Sequence, residues 1–526
     1  MTTRAITAFA AAMLLVGAAC TDVTTEPKST VTAANVFNDA SSYRAFLAKL
    51  YGGLAVTGQQ GPAGQGDIEG IDEGFSQYIR GYWQLQELPT DEVVIGWGDE
   101  SLPEMNTMGW SSSNRFITAF YYRIFYQVAL ANEFLRETTD ERLASRGASA
   151  ELRTTVQQYR AEARLLRALS YWHGLDLFGS VPLVTEEGPI GAEPPAQATR
   201  QQLFQFVESE INAVRAALPA AGAAEYGRFD QAVADMILAK LYLNAQVYAG
   251  TARWSDALTA AQRVIASNAF TLDDRYMDMF LADNHTSPEL IYAVPFDGNA
   301  TRTYGGTTFL AHAAVGGSMN ADSYGLNGGW WGLRVTPQFV ALFPGAPASA
   351  DRRSAILYTE GQTLAIDNIS NFNHGYAAPK YQNVTSAGGK GKNSEFPDTD
   401  FPMFRLADAY LMYAEAVLRG GGGTRAQALT YVNALRTRAY GNASGNITDA
   451  QLTLDFILAE RSRELYMEAH RRTDLIRYGL FTGGQYLWAW KGNTAGGTAT
   501  AAHLNLYPIP ASDLLANPKL TQNPGY

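Results

Sequence analysis

The chain has 526 residues, 46% hydrophobic and 17% charged, a composition that buries a sizeable core and excludes a disordered chain. A net charge of -11 opposes binding to nucleic-acid phosphates, and no cluster of Lys and Arg offers a seat for anionic lipid. The single cysteine, Cys20, excludes an intramolecular disulfide and any cysteine-based metal cluster.

Residues 1–19 read as an export signal. Arg4 gives the positive start, residues 5–16 a short apolar run, and Gly17-Ala18-Ala19 the small residues before Cys20. The run is too short to span a bilayer comfortably. A small-residue run ending at the sole cysteine resembles a bacterial lipoprotein signal, with Cys20 as the lipidated mature N-terminus. Gly17 stands where such signals usually carry Leu, which leaves ordinary cleavage after Ala19 as the alternative. Residues 20–35, polar and interrupted by Pro27, read as a tether.

A helix is expected from Ser41 or Ser42, with Tyr43, Phe46, Leu47, Leu50, Tyr51 and Leu54 on its apolar side and Gly52 and Gly53 blurring its end. Residues 58–74 form a Gly-rich polar loop. QLQELPTDEVVIGWGDE, residues 84–100, ends in a loop bearing Trp97 and Asp99. Asn114 is placed to cap a helix whose inward positions are Ile117, Phe120, Ile124, Val128, Ala131 and Leu135. Residues 159–184, YRAEARLLRALSYWHGLDLFGSVPLV, read as a helix with a hard stop. Ala161, Leu165, Ala168, Trp172 and Leu175 share one face and Arg160, Arg164 and Arg167 another; Gly179 closes the helix and Pro182 prevents its continuation. The arginines are expected to be solvated or structurally paired.

One device then recurs. Thr199-x-x-Gln202, Thr424-x-x-Gln427 and Thr448-x-x-Gln451 each form a capping box before an apolar periodic run. A helix from Val233 to Tyr248 is followed across Gly250 by another from Trp254 to Ile265, and residues 406–419 pair with 424–439 in the same way. Such helical pairs with small residues at the crossing look like tetratricopeptide units that stack to share a core. Residues 270–403 break the rhythm. They are rich in Gly, Asn, Thr, Pro and aromatics, and read as short strands, turns and brief helices packed on the helical scaffold. Helices return at Leu406, and ILAERSRELYMEAHRRTDLIRYG predicts one helix over residues 454–478.

RAEARLLRAL followed by an aromatic turn and LFGSVPLV resembles the central signature of the SusD/RagB family of bacterial surface nutrient-binding proteins. The segment over 84–100, the helix at 454–478 and the ending LYPIPASDLLANPKLTQNPGY resemble the family too, so the likeness runs from Cys20 to Tyr526. The resemblance implies a mainly α fold: a tetratricopeptide-like helical-pair scaffold (36–269 and 404–480) with a loop-rich, irregular ligand-binding face (270–403), together one domain over 36–526. It also implies a lipid-anchored protein on the outside of the bacterial outer membrane. Such a protein binds oligosaccharide, or in some members peptide, for a SusC-type TonB-dependent transporter.

No enzyme motif competes strongly. There is no Gly-x-Ser-x-Gly elbow and no His-Glu-x-x-His, and Gly420–Gly423 suits a turn between helices better than a phosphate loop. His173 and His470 lie within helices and are expected to be packed or capping residues. A glycosidase needs two carboxylates facing each other across a sugar bond. Glu460, Glu464 and Glu468 instead stack on one side of one expected helix among arginines, with Glu468 opposite Arg472, and read as an ion-pair face. Asp398 and Asp400 are a weaker pair. Asp283, Asp297 and nearby acids lack the spacing of a calcium loop, so no metal and no cofactor is expected.

With 28 tyrosines and 9 tryptophans, the aromatic supply exceeds what a core requires, and the surplus offers flat surfaces to sugar rings. Tyr304, Tyr324, Trp330 and Trp331 sit among glycines that clear space for a ligand, and Asn320, Asn327 and Arg334 carry hydrogen-bonding groups suited to hydroxyls. Adjacent Trp330 and Trp331 point to different sides, so one of the two is expected outside. Family members commonly bring an aromatic from the loop after the first helices to the ligand, which adds Trp97 with Asp99. Two other readings stand beside this one: a secreted glycosidase, which a carboxylate pair in one pocket favours, and a helical-repeat adaptor, which a bare concave groove favours.

Overall fold

The computed structural model describes residues 37, 40–58, 61–62, 66–188, 191 and 193–526. The export signal, Cys20 and the tether lie outside the described residues. The chain divides into a short unit ending at Tyr43 and a main unit, Arg44–Tyr526. Among the described residues no helix is long and apolar enough to cross a membrane.

The fold is mainly helical. Its longer helices are α1 (Ala40–Ala55), α2 (Tyr78–Glu87), α3 (Arg115–Glu137), α4 (Ala150–Leu177), α5 (Arg200–Val214), α6 (Gln231–Leu243), α7 (Trp254–Ala266), α8 (Gly306–Ala313), α9 (Leu406–Leu418), α10 (Arg425–Tyr440), α11 (Leu454–Leu465) and α12 (Arg471–Arg477). Among the described residues four short strands, β1 (Val93–Ile95), β2 (Leu290–Val294), β3 (Leu333–Val335) and β4 (Phe401–Arg405), form two antiparallel pairs, β1 with β3 and β2 with β4. Both pairs tie residues 270–403 to the scaffold. That region consists of short strands, turns and brief helices, as its composition suggests.

Local signals place most helix ends. The Asn114 side chain accepts the N–H groups of Phe116 and Ile117, satisfying two donors that α3 leaves open, a cap worth about 1 kcal/mol. α4 ends where Gly179 turns left-handed at φ 75°. Its arginines are structural: Arg164 and Arg167 both hold Glu210 of α5, and Arg160 donates to the Leu135 carbonyl and the Thr138 hydroxyl. α6 packs on α7, α7 on α9, and α9 on α10. Fully buried Ala257, Ala260 and Ala261 let α7 approach its neighbours, and Gly250 makes the turn at φ 73°.

Three expectations need correction. The helix from Val233 to Tyr248 breaks at Asn244, whose amide donates to the Lys240 carbonyl at 2.8 Å while its oxygen accepts from Arg477 at 2.9 Å. The Thr448–Gln451 box forms but opens only a single 3-10 turn; Thr453 caps α11 through the Phe456 N–H. The helix over 454–478 is two helices. Between α11 and α12, Met467 and Ala469 take left-handed φ values of 58° and 64°, a conformation costly for residues with a side chain. Distant carboxylates hold the turn. Glu92 accepts the Met467 N–H and Glu87 the His470 N–H, each at 3.0 Å.

The carboxylates follow from that break. Glu460 and Glu464 share α11, but Glu468 has left it and binds Lys380 and Arg405, each at 2.7 Å, instead of Arg472. Arg472 faces Asp176 and the Asn505 carbonyl. Glu460 is held by Arg353, Arg436 and Arg463, and Glu464 by Arg353, Arg405 and Arg438. All three are buried. The ion-pair face is part of the core, with no route to a sugar. His173, 2.9 Å from the Tyr78 hydroxyl, is a buried packing residue, and His470, half-buried at the start of α12, lies 3.4 Å from Lys240.

Candidate ligand-binding face

β1 and β3 set the geometry. Their register pairs Ile95 with Leu333, so the loop leaving β1 and the loop entering β3 emerge side by side. The Gly96 N–H donates to the Gly332 carbonyl at 3.1 Å, which brings Trp97 against residues 330–332. The Trp97 indole N–H donates to the Trp330 carbonyl at 3.0 Å, with ring centroids 6.3 Å apart. Gly332 has to be glycine, since a Cβ there would stand 2.7 Å from the Trp97 ring.

α8 supports this pair from beneath. The N–H groups of Trp330, Trp331 and Gly332 donate to the carbonyls of His312, Val315 and Ala313. Phe309 meets Trp97 edge-on at 5.9 Å, and His312 stacks on Trp330 at 4.7 Å. Tyr304 stands 6.3 Å from Trp330 and donates its hydroxyl to Glu395 at 2.7 Å. Trp97, Tyr304 and Trp330 thus form one half-buried aromatic group.

Trp331 points elsewhere. It is the exposed member of the tryptophan pair, 54% open, at φ 58°, with Phe372 at 6.0 Å. Gly316 leaves room for both rings, since a Cβ there would lie within 3.0 Å of each. Asp99 is exposed on the loop beyond Trp97. Asn327 is exposed too, and its N–H binds the Ser394 carbonyl, beside the Glu395 that holds Tyr304. Asn320 and Tyr324 belong to another turn: Asn320 caps it through the Asp322 N–H, and the Tyr324 carbonyl accepts from Asn383. Among the described residues no hydrogen bond or ring contact joins that turn's two side chains to the aromatic group.

Arg334 is a correction. It is fully buried, and its guanidinium donates to the carbonyls of Gly332, Ile369, Asn371 and His374, leaving little for a ligand. It fastens loop 369–374 to β3. Asp398 and Asp400 are loop ties as well: Asp398 accepts the N–H groups of Gly298 and Lys392, and Asp400 that of Phe296 and the Tyr226 hydroxyl.

The residue that sequence reasoning missed is Arg80. Buried on α2, its guanidinium lies 4.1 Å from the Phe75 ring and 4.2 Å from the Phe309 ring, with Trp97 at 5.9 Å. It donates to the Tyr304 carbonyl at 3.0 Å, and its Nε has no partner among the described residues. Burial lowers it to about 9 against the pull of Asp72, Asp99 and Glu73. A cation packed between these rings, within the field of Asp99, holds the Tyr304 backbone at the floor of the aromatic group. Its sequence context, YIRGYWQLQE, gives no sign of this, because every residue of α2 is buried.

Known proteins similar to this chain bear on its family and its fold. The sequence profile of the SusD family matches residues 355–526. The starch-binding protein SusD of Bacteroides thetaiotaomicron is 34% identical over 525 residues, covering 91% of each chain. Among solved structures, a SusD homolog from Bacteroides thetaiotaomicron superposes with a TM-score of 0.72 at 20% identity, covering 94% of this chain and 98% of the other. Surface glycan-binding protein A from the same organism, in complex with laminarihexaose, gives a TM-score of 0.70 at 19% identity, with 92% and 99% covered. These two likenesses concern the fold.

Proposed function

The chain belongs to the SusD family, and from that premise we propose that it is a glycan-binding lipoprotein. It is anchored through Cys20 to the bacterial outer membrane, faces outward, and passes oligosaccharide to a SusC-type TonB-dependent transporter. The observation that carries this reading is the 34% identity, over 91% of each chain, to a starch-binding protein. The geometry supports it with Trp97, Tyr304 and Trp330 gathered on loops over α8, the exposed Trp331 beside them in sequence, Asp99 and Asn327 supplying polar groups, and Arg80 holding the Tyr304 backbone. Residues 36–526 work as one domain, the helical pairs holding up the loops. Binding is passive. Glu460, Glu464 and Glu468 are buried ion-pair partners and Asp398 and Asp400 loop ties, so none of these carboxylates flanks a sugar bond.

Calorimetry on the soluble chain starting at Thr21, with maltohexaose and laminarihexaose, tests the reading. Micromolar binding is expected, about 8 kcal/mol, with the sugar's reducing ends unchanged after long incubation. Binding of neither sugar defeats the glycan assignment for these two linkages, and turnover moves the protein to the glycosidases. Correctly cleaved Cys20→Ala protein is expected to leave the membrane fraction; retention there refutes the lipid anchor.

A further inference from the structure

His312 lies fully buried on α8 beneath the aromatic face. Its Nδ1 is 2.7 Å from the Gly328 carbonyl oxygen and its Nε2 is 3.0 Å from the Glu395 carbonyl oxygen. A carbonyl oxygen only accepts. A neutral imidazole donates from one nitrogen and carries a lone pair on the other, so it satisfies one of these contacts and opposes the second. Only the imidazolium, with an N–H on each nitrogen, satisfies both. The ring also stacks on Trp330 at 18° between planes, where a positive charge is attracted to the indole face.

The two carbonyls belong to the segments that carry the rings. Gly328 begins the run to Trp330, and Glu395 holds the Tyr304 hydroxyl. We propose that His312 is a positioning residue whose proton locks Trp330 and Tyr304 into the sugar-binding arrangement, making the face tighter in acid than at neutral pH. The inference rests on the glycan reading above and deepens it by naming a regulator of that site.

The surroundings set the window. Glu395 faces His312 from the opposite loop, with its carboxylate engaged by Tyr304. Tyr304 is the next titratable group, and α8 itself carries no other. Arg80 approaches α8 at Phe309, with Asp72, Asp99 and Glu73 around it. Burial pushes the imidazole below its ordinary value, while the Gly328 and Glu395 carbonyls and the Glu395 carboxylate push it back. The transition therefore falls below about pH 6.5. At neutral pH the ring is mostly neutral and one carbonyl goes unmet; acidification supplies the missing N–H. By linkage, a sugar that selects the locked face drives the protein to take up a proton at His312 as it binds.

The test uses the chain from Thr21 labelled with 15N-histidine, with His312→Gln as assignment control. Both His312 nitrogens are expected to show protonated shifts below the transition and only one above it. Calorimetry with maltohexaose and laminarihexaose between pH 8 and 5 is expected to show affinity rising about threefold to tenfold across the same transition, with proton uptake read from buffers of different ionisation enthalpy. The rise should vanish in His312→Gln. A singly protonated ring at every pH overturns the inference, as does an affinity profile identical in wild type and variant. If the variant fails to fold, the nitrogen shifts and proton uptake of the wild type decide. If neither sugar binds at any pH, the glycan reading fails for these two linkages, and the nitrogen shifts with the Trp330 indole resonances still decide whether the proton locks the ring.

Discussion

Two regions of this molecule handle polar and aromatic groups in opposite ways. Around α9, α10 and α11 the side chains are charged, buried and mutually occupied: Arg405 alone binds Glu289, Glu464 and Glu468 at 2.6 to 2.8 Å. Over α8 the side chains are rings, half-buried or open, held by backbone hydrogen bonds to the helix beneath. In the first region the buried carboxylates are met by arginines and lysines from within, so little binding capacity remains. In the second, rings and a few polar groups are left facing outward. Charge density without access makes architecture, whereas accessible rings on pinned loops make recognition.

Breaking the first region should have the largest effect. Arg405→Met keeps much of the side-chain volume but leaves three buried carboxylates short of a partner, and unpairing a buried charge costs about 3–5 kcal/mol. Urea denaturation should register that loss, while sugar affinity of the folded fraction stays the same. A loss below about 1 kcal/mol would mean that the cluster rearranges freely and is no rigid core.

Acid should act on the same region with a sign that can be worked out. Burial alone would raise Glu460, but Arg353, Arg463 and Arg436 pull it down to about 2. Burial opposes the depression of Glu464 too, yet Arg438, Arg405 and Arg353 hold it well below the carboxylate range. A depressed carboxylate contributes stability that is complete above its unfolded value near about 4.3 and is lost as pH falls toward the folded one. Glu92 runs the other way. Burial, opposed by Arg471 and aided by Asp91, raises it to about 7, so its contribution grows as pH drops from about 7 to about 4.3. Thermal unfolding should therefore peak near about pH 5 and fall steeply below about pH 4. A steady decline from pH 7 downward would show that Glu92 is not raised.

What the sequence made legible follows the range of the interactions. Asn114, the Thr199–Gln202 box and Gly250 bond or turn within a few residues, so the local pattern suffices. The break between α11 and α12 depends on Glu92 and Glu87, 375 and 383 residues before the N–H groups they accept. Nothing in MEAHRR signals it. Arg334 misled for a related reason. Strand alternation sets it opposite Leu333 and Val335, on a side that is open until loop 369–374 covers it. The glycines around Trp330 and Trp331 read as space for a ligand, whereas Gly332 makes room for the Trp97 ring and Gly329 for the Val315 backbone, neighbours that only the folded register brings there.

Cutting into the second region should cost affinity before stability. Trp330→Ala removes the ring between His312 and Tyr304, and aromatic contacts are worth about 0.5–1.5 kcal/mol beyond burial. With desolvation added, calorimetry should show affinity about tenfold weaker or worse. Trp97→Ala should match it in affinity and lose more stability, because its ring fills the space at Gly332 and its N–H binds the Trp330 carbonyl. If neither folded variant weakens binding, these rings are packing residues and the ligand face lies elsewhere.

The smallest expected change is the sharpest test of where the face ends. Trp331 is 54% exposed and touches little besides Phe372 and Gly316, so Trp331→Ala should shift stability by no more than about 0.5 kcal/mol. Its effect on sugar depends on ligand length. The ring is turned away from the Trp97 group, so a short oligosaccharide lying on that group misses it, while a longer chain running past residue 331 stacks on it. One such contact corresponds to about a twofold to tenfold loss of affinity, seen for hexasaccharide and absent for disaccharide. A loss for both lengths would place Trp331 at the centre of the site. No loss at any length would confine the site to Trp97, Tyr304 and Trp330, leaving the most exposed indole of the pair without a share in binding.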